Sequence, residues 1–466
     1  MRAPGLPIVA ACLLTCATAT SGSPEVRVAQ PRAGATRITW EDVAPLRAPL
    51  EKLGFTQAAF PAYVERLRES HASRMREGDL DHLIFYLMQS THFTRLPPIE
   101  PALSAKELVD SLEPAEREEF LRASRVPSAR VPPGVRARAA ALIRALDSAD
   151  PDARVGYFRS LASAAFPNAR RREDEVLREY ARVMRFLYDK EFVAQRAGAA
   201  AVAELYRSRG LSTDTAVEAG YVVYTGLGIL KSLEPGRPIR RVLIVGPGLD
   251  LAPRTALLET SAPESYQPWA VTDALVSLGL SRLADLTVVG ADINPRVVDH
   301  LRRSRNVPPS LTLVSGIAET PEVQFSRDYR DYFSQLGRSI GETQPGANAL
   351  SGHLSKTVRV RAEAAHTLDA VSLDIVTERL NGPPFDLIIA TNILPYFDDA
   401  GLMLAMSNVS GMLAPGGVFL HNEARPVLGE ITDALGLPYQ QSRQGIIASV
   451  RGAPALSDTV WLHRKR

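Results

Sequence analysis

Three polar or glycine-rich sites each follow a run of aliphatic residues in this chain. Gly246 and Gly248 follow the first run, Asp292 ends the second, and Asn392 follows the third. Glycine has no Cβ, so a backbone turn at Gly246 and Gly248 can approach a bound molecule closely. A carboxylate such as Asp292 can accept hydrogen bonds from both hydroxyls of a ribose. These residue types and positions predict a pocket for a nucleotide-like ligand.

Buried strands are the elements that must position these residues. An aliphatic run that stops on glycine or a polar residue is typical of a strand buried on both faces. Helical patterns alternate with such runs, which predicts an α/β fold with a doubly wound parallel sheet and ligands at the carboxyl ends of its strands. The predicted strands lie within 239–251, 286–292, 311–314, 385–392 and 418–422, and the predicted helices are 269–280, one that starts at 296, and 402–413.

The length of the chain predicts two domains after a leader, because one hydrophobic core rarely serves 466 residues. A helical pattern runs through 41–233 and predicts an all-helical N-terminal domain. Strands and helices alternate in 238–466, where a polar stretch at about 321–357 is predicted to be an insertion. Residues 21–40 are rich in Ser, Pro, Gly and Ala and are predicted to be a flexible linker.

The N-terminus has the pattern of a secretory signal peptide, assigned to residues 1–20. Arg2 is its charged region, 6–16 its apolar region, and 17–19 supply small residues at the cleavage spacing. Cys12 and Cys16 both lie inside it, so the mature chain is expected to have no cysteine and no disulfide; lipid attachment at either is the alternative. We therefore expect a periplasmic or secreted protein with no stable transmembrane segment after cleavage.

Composition and charge exclude several classes of function. With 45% hydrophobic and 23% charged residues, the chain is predicted to be globular, and its net charge of +2 gives no support to nucleic-acid binding. The spacing of His71, His82 and His92 matches no metal-ligand pattern. These histidines are predicted to be structural or on the surface, and no metal site is predicted.

The order of the motifs resembles that of class I S-adenosylmethionine-dependent methyltransferases, over about residues 238–425. The most specific part of this resemblance is a helix that ends in Leu-x-Pro-Gly-Gly before a strand. The segments 392–398 and 420–423 also resemble the chemotaxis-receptor glutamate methyltransferases, in which a helical domain precedes the catalytic one and an insertion interrupts it. The motifs are Gly246-Pro247-Gly248, Asp292, Phe385-Asp386-Leu387-Ile388 and Leu413-Ala414-Pro415-Gly416-Gly417.

The resemblance implies a Rossmann-like domain and S-adenosylmethionine as the cofactor. Gly246 and Gly248 would pass under its methionine part, and Asp292 would hold the ribose hydroxyls. Asp374 is the candidate for the adenine; the alternative is a surface aspartate at a strand end. Asn392 and Tyr396 would line the mouth where the methyl group is transferred.

Two departures from the family pattern concern the glycine loop. Ile244 stands where the family commonly has an acidic residue, and Asp250 stands where its third glycine would fall. Asp250 is predicted to supply the displaced carboxylate and to contact the amino group of the cofactor. If it does not, cofactor binding is expected to be weak or lost.

The residue that would act in catalysis is left open, and so is the methyl acceptor, a small molecule or a protein. Methyl transfer from a sulfonium is an in-line displacement that depends on alignment, and a carboxylate acceptor needs no general base. For a hydroxyl or amine acceptor, His421 or Glu423 on the rim would remove the proton; a structural histidine is the alternative for His421. The candidates are Asn392, Tyr396, His421 and Glu423.

Two other functions stay open. A non-catalytic binding protein on a methyltransferase scaffold is favoured by the loop departures and by an export signal that would carry the chain away from the cytoplasmic cofactor. A cytoplasmic or membrane-anchored location is the alternative to export. An NAD(P)-dependent oxidoreductase is disfavoured, because its G-x-G-x-x-G fingerprint would need a glycine where Leu251 stands.

Overall fold

The computed structural model describes residues 34–253, 257–346 and 350–466. The predicted signal peptide, 1–20, and the predicted linker up to residue 33 lie outside the described residues. Within the described ranges, no helix combines the length and the apolar character needed to cross a membrane.

Helices dominate the described chain up to residue 233. Proline occupies the first turn of α2, α3, α4 and α5 as defined below, where its missing N–H costs no hydrogen bond and its fixed φ suits a helix start. The elements are β1 (Ala35–Arg37), α1 (Arg47–Lys52), α2 (Phe60–Gln89), α3 (Pro101–Ser111), α4 (Pro114–Ala123), α5 (Pro133–Asp147), α6 (Ala153–Ala165), α7 (Arg172–Tyr188), α8 (Gln195–Ala197), α9 (Ala199–Ser208) and α10 (Glu218–Leu233), with a π-helical segment, Asp189–Ala194, after α7.

Strands and helices alternate in the rest of the chain, as the sequence predicts for an α/β fold. The strands are β2 (Arg241–Val245), β3 (Thr287–Asp292), β4 (Ser310–Val314), β5 (Val323–Phe325), β6 (Gly341–Pro345), β7 (Ser355–Val360), β8 (Leu368–Ser372), β9 (Glu378–Leu380), β10 (Phe385–Ala390), β11 (Leu413–His421), β12 (Tyr439–Val450) and β13 (Ala453–Arg464). The helices are α11 (Gln267–Ser277), α12 (Pro295–Asn306), α13 (Arg327–Gln335), α14 (Ala362–Ala365), α15 (Asp399–Met412) and α16 (Pro426–Ala434).

The main sheet has the strand order β5-β12-β13-β11-β10-β2-β3-β8. Strands β8, β3, β2, β10 and β11 are parallel, whereas β13, β12 and β5 continue the sheet in antiparallel pairs. The order of the chain reverses between β2 and β10, since β3 and β8 lie on one side of β2 and β11 lies beyond β10. The carboxyl ends of β2 and β10 therefore form the crevice in which sheets of this kind bind ligands.

The helices share their hydrophobic cores with the sheet. On one face, Tyr180 of α7 belongs to the same buried cluster as Val242 of β2. On the other face, Phe60 of α2 clusters with Leu243 of β2, as expected from the alternation of side chains along a strand. The short strand β1 also pairs antiparallel with β9. The helical half is thus packed directly on the sheet that carries the predicted site.

Two expectations about strands need correction. The predicted strand 311–314 exists as β4, but it belongs to a separate antiparallel sheet with the order β4-β7-β6. Its burial alternates, with Leu311 and Leu313 buried and Ser310 exposed, as in a strand that covers a core with one face only. The third parallel strand is instead β8, which was not predicted. The predicted insertion contains the regular elements β5, α13 and β6.

Candidate functional site

A cavity of about 1180 Å³ lies at the carboxyl ends of β2, β3, β8 and β10. Cavities of several hundred Å³ at this position of a doubly wound sheet are typical small-molecule sites. The structure brings most of the predicted site residues to its wall: Gly246, Gly248, Asp250, Asp292, Asp374, Asn392 and Tyr396.

The glycine turn after β2 lies directly beside the end of β3. The N–H of Gly246 donates to the carbonyl of Ala291, 2.8 Å away, so the turn continues the pairing of the two strands. Gly246 and Gly248 have φ angles of 63° and 76°, which side-chain-bearing residues rarely adopt. A Cβ on Gly246 would lie 2.2 Å from Cδ1 of Ile393, and one on Gly248 would lie 2.2 Å from Oγ1 of Thr215. The glycines are therefore required by neighbouring segments that close over the turn.

Asp292 ends β3 at the cavity and is only 6% exposed. Its Oδ1 accepts a hydrogen bond of 2.8 Å from the N–H of Asn294, and the backbone of Gly248 also donates to this carboxylate. Burial raises the pKa of Asp292 to about 7, and hydrogen bonding to the backbone only partly opposes that shift. Hydrogen bonds donated by the hydroxyls of a ligand would stabilise the ionised form of this carboxylate.

Asp250 and Asp214 form a carboxylate pair at the same cavity. Burial, and next the charge of Asp214, raise the pKa of Asp250 well above its usual value. Asp214, whose side chain is 35% exposed, keeps a lowered pKa because His82 lies beside it, with Nε2 3.3 Å from Oδ1. Oδ1 of Asp250 is buried and has no hydrogen-bond partner among the described residues. A cationic group in the cavity would satisfy this oxygen.

Asp374 lies just after β8 and is not a surface aspartate, since its side chain is 11% exposed. Its Oδ2 lies 2.8 Å from Nδ1 of His71 and accepts from Oγ1 of Thr377 at 2.9 Å. Although burial opposes its ionisation, His71 and the hydrogen bonds hold its pKa below the usual value. The carboxylate is thus already engaged by the protein while it lines the cavity.

Asn392 and Tyr396 lie after β10, where the sequence predicts the mouth. Asn392 adopts a φ of 60°, and its N–H donates to Oδ1 of Asn422 at 2.9 Å, while Nδ2 of Asn422 donates back to Oδ1 of Asn392 at 2.8 Å. The ring of Tyr396 packs edge-on against Tyr206, with ring centroids 5.7 Å apart. Tyr396 therefore joins the sheet edge to α9.

His421 and Glu423 do not line the cavity, contrary to the expectation that both lie on its rim. His421 is 1% exposed and stacks on Trp461, with ring centroids 5.8 Å apart, and on His463 at 5.0 Å. Burial lowers the pKa of His421 far below its usual value, so the ring is neutral. Glu423 lies 3.5 Å from Nε of Arg425. Strand alternation explains the placement of His421, which shares the face of Phe419.

Helix α2 crosses the edge of the sheet above the cavity, a role that sequence reasoning missed. Asp79, 1% exposed, accepts from Nδ2 of Asn294 at 2.9 Å and from Nη1 of Arg296 at 2.7 Å. A Cβ on Gly78 would lie 1.9 Å from the carbonyl oxygen of Leu211, so the segment 209–217 passes in contact with this helix. Gly78 is an isolated glycine within the helical pattern of α2, and it was the sequence signal for the close approach of another segment.

The three histidines of the helical half each contact a carboxylate. His71 pairs with Asp374 and His82 with Asp214, and Nε2 of His92 lies 3.1 Å from Asp150. Across the three described ranges, no group of three or more His, Cys, Asp or Glu side chains is arranged to hold a metal ion.

The fold and the site together define a doubly wound α/β protein with a cavity of small-molecule size at the carboxyl ends of its parallel strands. No family model and no curated protein matches the chain. Similar solved structures include the N-methyltransferase NodS from Bradyrhizobium japonicum in complex with S-adenosyl-L-homocysteine, at 15% identity over 52% of this chain and 85% of that one, with a TM-score of 0.27.

Two further solved structures are similar to the chain at the same level. A TehB-like SAM-dependent methyltransferase from Corynebacterium glutamicum is 10% identical over 52% of this chain and 87% of that one, with a TM-score of 0.27. Magnesium protoporphyrin IX methyltransferase from Synechocystis with bound SAM is 9% identical over 60% and 94%, with a TM-score of 0.28. These TM-scores lie below 0.5, so the assignment of the site rests on its own residues.

Proposed function

We propose that the chain is an S-adenosylmethionine-dependent methyltransferase that binds its cofactor in this cavity. The observation that carries the proposal is the meeting of three features on one wall: the glycine turn at Gly246 and Gly248, the carboxylate of Asp292, and the buried, unpartnered oxygen of Asp250. These are the features expected to face the methionine chain, the ribose hydroxyls and the amino group of the cofactor.

The acidic side chains of the wall are complementary to the hydroxyl and ammonium groups of this cofactor. Asp292 accepts hydrogen bonds at the end of β3, and Asp214, which stays ionised beside Asp250, offers negative charge to an ammonium group. Asp374 lies towards the adenine end, but His71 already occupies its carboxylate. We therefore assign Asp292 a larger share of the cofactor affinity than Asp374.

S-adenosylmethionine supplies a methyl group on a sulfonium, which an acceptor displaces in line. The chain's part is to hold the acceptor in line with that methyl group and to exclude water. Asn392 and Tyr396 line the wall where an acceptor would approach. His421 and Glu423 lie outside the lining, so this arrangement assigns neither of them the role of general base.

The second candidate is a non-catalytic binding protein on the same scaffold. Ile393 and Thr215 already pack against the glycine turn, which leaves less room above it. The NAD(P)-dependent oxidoreductase is disfavoured further by the sheet, because antiparallel β13 stands beside β11, where the dinucleotide-binding order continues in parallel.

Calorimetric titration of S-adenosylmethionine and S-adenosylhomocysteine into the full chain tests the proposal. We expect saturable binding of both, and transfer of a labelled methyl group to an extract that contains the acceptor. Asp292→Ala should weaken cofactor binding far more than Asp374→Ala, the matched loss of a buried carboxylate at a neighbouring strand end. No heat at high micromolar cofactor from a chain with an intact circular dichroism spectrum would remove the proposal. Equal effects of the two variants would contradict the assignment of Asp292, and binding without transfer would favour the binding protein.

A further inference from the structure

The cavity extends beyond the predicted cofactor residues into the helical layer. There α2, α7 and the segment after α9 supply an apolar wall, formed by Met75, Phe85, Phe186, Leu187 and Leu211. The whole cavity, about 1180 Å³, exceeds the usual upper size of a site for one small molecule, about 1,000 Å³. We call this helical part of the cavity the second lobe. The volume of the whole cavity and this apolar wall provide room for a second ligand beside the cofactor.

One side chain of the second lobe has unused hydrogen-bonding capacity. Arg209 lines the cavity, and its guanidinium stacks on the ring of Phe186, 4.3 Å from the centroid. Among the described residues, its side chain makes a single long hydrogen bond, 3.4 Å from Nη2 to Oδ2 of Asp81. The other oxygen of Asp81 is taken by Arg182 at 2.6 Å. Nε of Arg209 is buried without an acceptor.

An arginine at a cavity wall whose N–H groups have so few acceptors is complementary to an anion. A guanidinium has five N–H donors in a planar fork that matches a carboxylate, and a buried donor without an acceptor costs free energy. Lys190, another cation of this lobe, lies 3.1 Å from Glu191 and is therefore already paired. Arg209 is thus the group on this wall with donors to offer.

Arg209 also lies near the place where the methyl group would be transferred. Tyr396 and Asp214 line the same cavity, and the positive charge of Arg209 favours the ionised form of each. The side chain of Arg74 fixes the backbone at Arg209 relative to Tyr396. Its Nε donates to the carbonyl of Arg209 at 2.9 Å, and its Nη1 donates to the carbonyl of Tyr396 at 3.1 Å. One arginine therefore ties the segment that carries Arg209 to the loop after β10.

We propose that the second lobe is the acceptor subsite and that Arg209 binds a carboxylate of an acceptor whose body is apolar. The proposal rests on the proposed methyltransferase function and names the class of its substrate. A single negative charge fits better than a phosphate dianion, because Asp81 and Asp214 lie close to Arg209 and would repel a second charge. The flat face of Phe186 and the aliphatic wall would hold the apolar body.

Binding of paired carboxylates and amides to the full chain tests this subsite. The probes are phenylacetate, 3-phenylpropionate and octanoate, each compared with its own amide, titrated with and without saturating S-adenosylhomocysteine. We expect each carboxylate to bind about tenfold more tightly than its amide. Arg209→Gln should reduce carboxylate affinity to that of the amide, and Arg209→Lys should retain part of the preference. The affinity for S-adenosylhomocysteine should change much less in both variants than the affinity for the carboxylates.

The outcomes separate the two proposals. Saturable binding of S-adenosylhomocysteine without any preference for carboxylates, or with a preference that Arg209→Gln retains, overturns the acceptor subsite and leaves the methyltransferase proposal standing. Absence of S-adenosylhomocysteine binding, with carboxylate preference intact, overturns the cofactor assignment instead. If Arg209→Gln does not fold, the carboxylate and amide pairs still decide, since they need only the original chain.

Discussion

The strongest quantitative expectation concerns pH and Asp292. Its pKa of about 7 means that the buried carboxyl group changes its charge within the range in which binding is easily measured. Only the ionised form can accept hydrogen bonds from both ribose hydroxyls. The pKa is raised, so the ionised fraction, and with it the affinity for the cofactor, rises with pH and levels off above about 8.

The magnitude follows from the same pKa. A group with a pKa of about 7 is roughly one-tenth ionised at pH 6 and about nine-tenths ionised at pH 8. The dissociation constant of S-adenosylhomocysteine should therefore fall about tenfold from pH 6 to pH 8, a change of about 1.4 kcal/mol in binding free energy. Titration calorimetry at pH 6, 7 and 8 in buffers of different ionisation enthalpy would measure both the affinity and the protons released.

Other buried groups titrate near the same cavity, so the experiment needs a control. The pKa of Glu264 is raised to about 8 by burial, and that of His82 to about 9 by its carboxylate neighbours despite burial. Asp292→Asn keeps the size and can still accept from Asn294, but it cannot titrate. At pH 8, Asp292→Asn should bind S-adenosylhomocysteine more weakly than the original chain does. Its affinity should also not show the tenfold rise between pH 6 and pH 8. A flat profile in the original chain, or an unchanged rise in Asp292→Asn, would refute the role given to this carboxylate.

Two further expectations concern stability rather than binding. Asp79→Ala removes the carboxylate that accepts from Arg296, and we expect the free energy of unfolding in urea to fall by about 3 kcal/mol. The control, Asp285→Ala, breaks an exposed ion pair and should lower the free energy of unfolding by less than about 0.5 kcal/mol. Equal losses in the two variants would contradict the role of Asp79 in anchoring α2. Gly248→Ala would place a Cβ at a residue with a φ of 76°, and this Cβ would lie 2.4 Å from the carbonyl oxygen of Thr213. The midpoint of urea unfolding should therefore fall by an amount equivalent to about 2 kcal/mol. An unchanged midpoint would refute the close approach of the two segments.

The strands that carry the site were predictable because they are buried on both faces. A run of aliphatic residues closed by glycine or a polar residue marks β2, β3 and β10, and the edge to which these strands point follows from the fold class alone. Strand β8 was missed because Asp369 and Ser372 interrupt its aliphatic pattern. The partner of β4 could not be predicted, because pairing with β7 depends on contacts between segments about 45 residues apart along the chain.

The wall built by the helices could not be predicted either. Asp79 meets Asn294 across 215 positions of the chain, and His71 meets Asp374 across 303. No local pattern specifies such contacts. For His421, the sequence predicted the end of a strand but not the face on which the side chain lies. Strand alternation points the ring of His421 into the packed layer. The neighbouring Asn422 instead contacts Asn392 at the mouth. A shift of one position decides between a buried ring and a residue at the site.

The distribution of charge around the cavity connects the two proposals. Asp214 lies at the end assigned to the methionine chain and is held ionised beside His82, and its negative charge suits a ligand with ammonium and sulfonium groups. Arg209 also lines the cavity, where it would bind a carboxylate of the acceptor. In a methyl transfer from a sulfonium to an anion, both charges are neutralised as the bond to sulfur breaks and the bond to the acceptor forms. A protein cavity favours that neutralisation more than bulk water does, because charged reactants are better solvated in water. An anionic acceptor would therefore need no general base, which agrees with the placement of His421 and Glu423 outside the cavity wall.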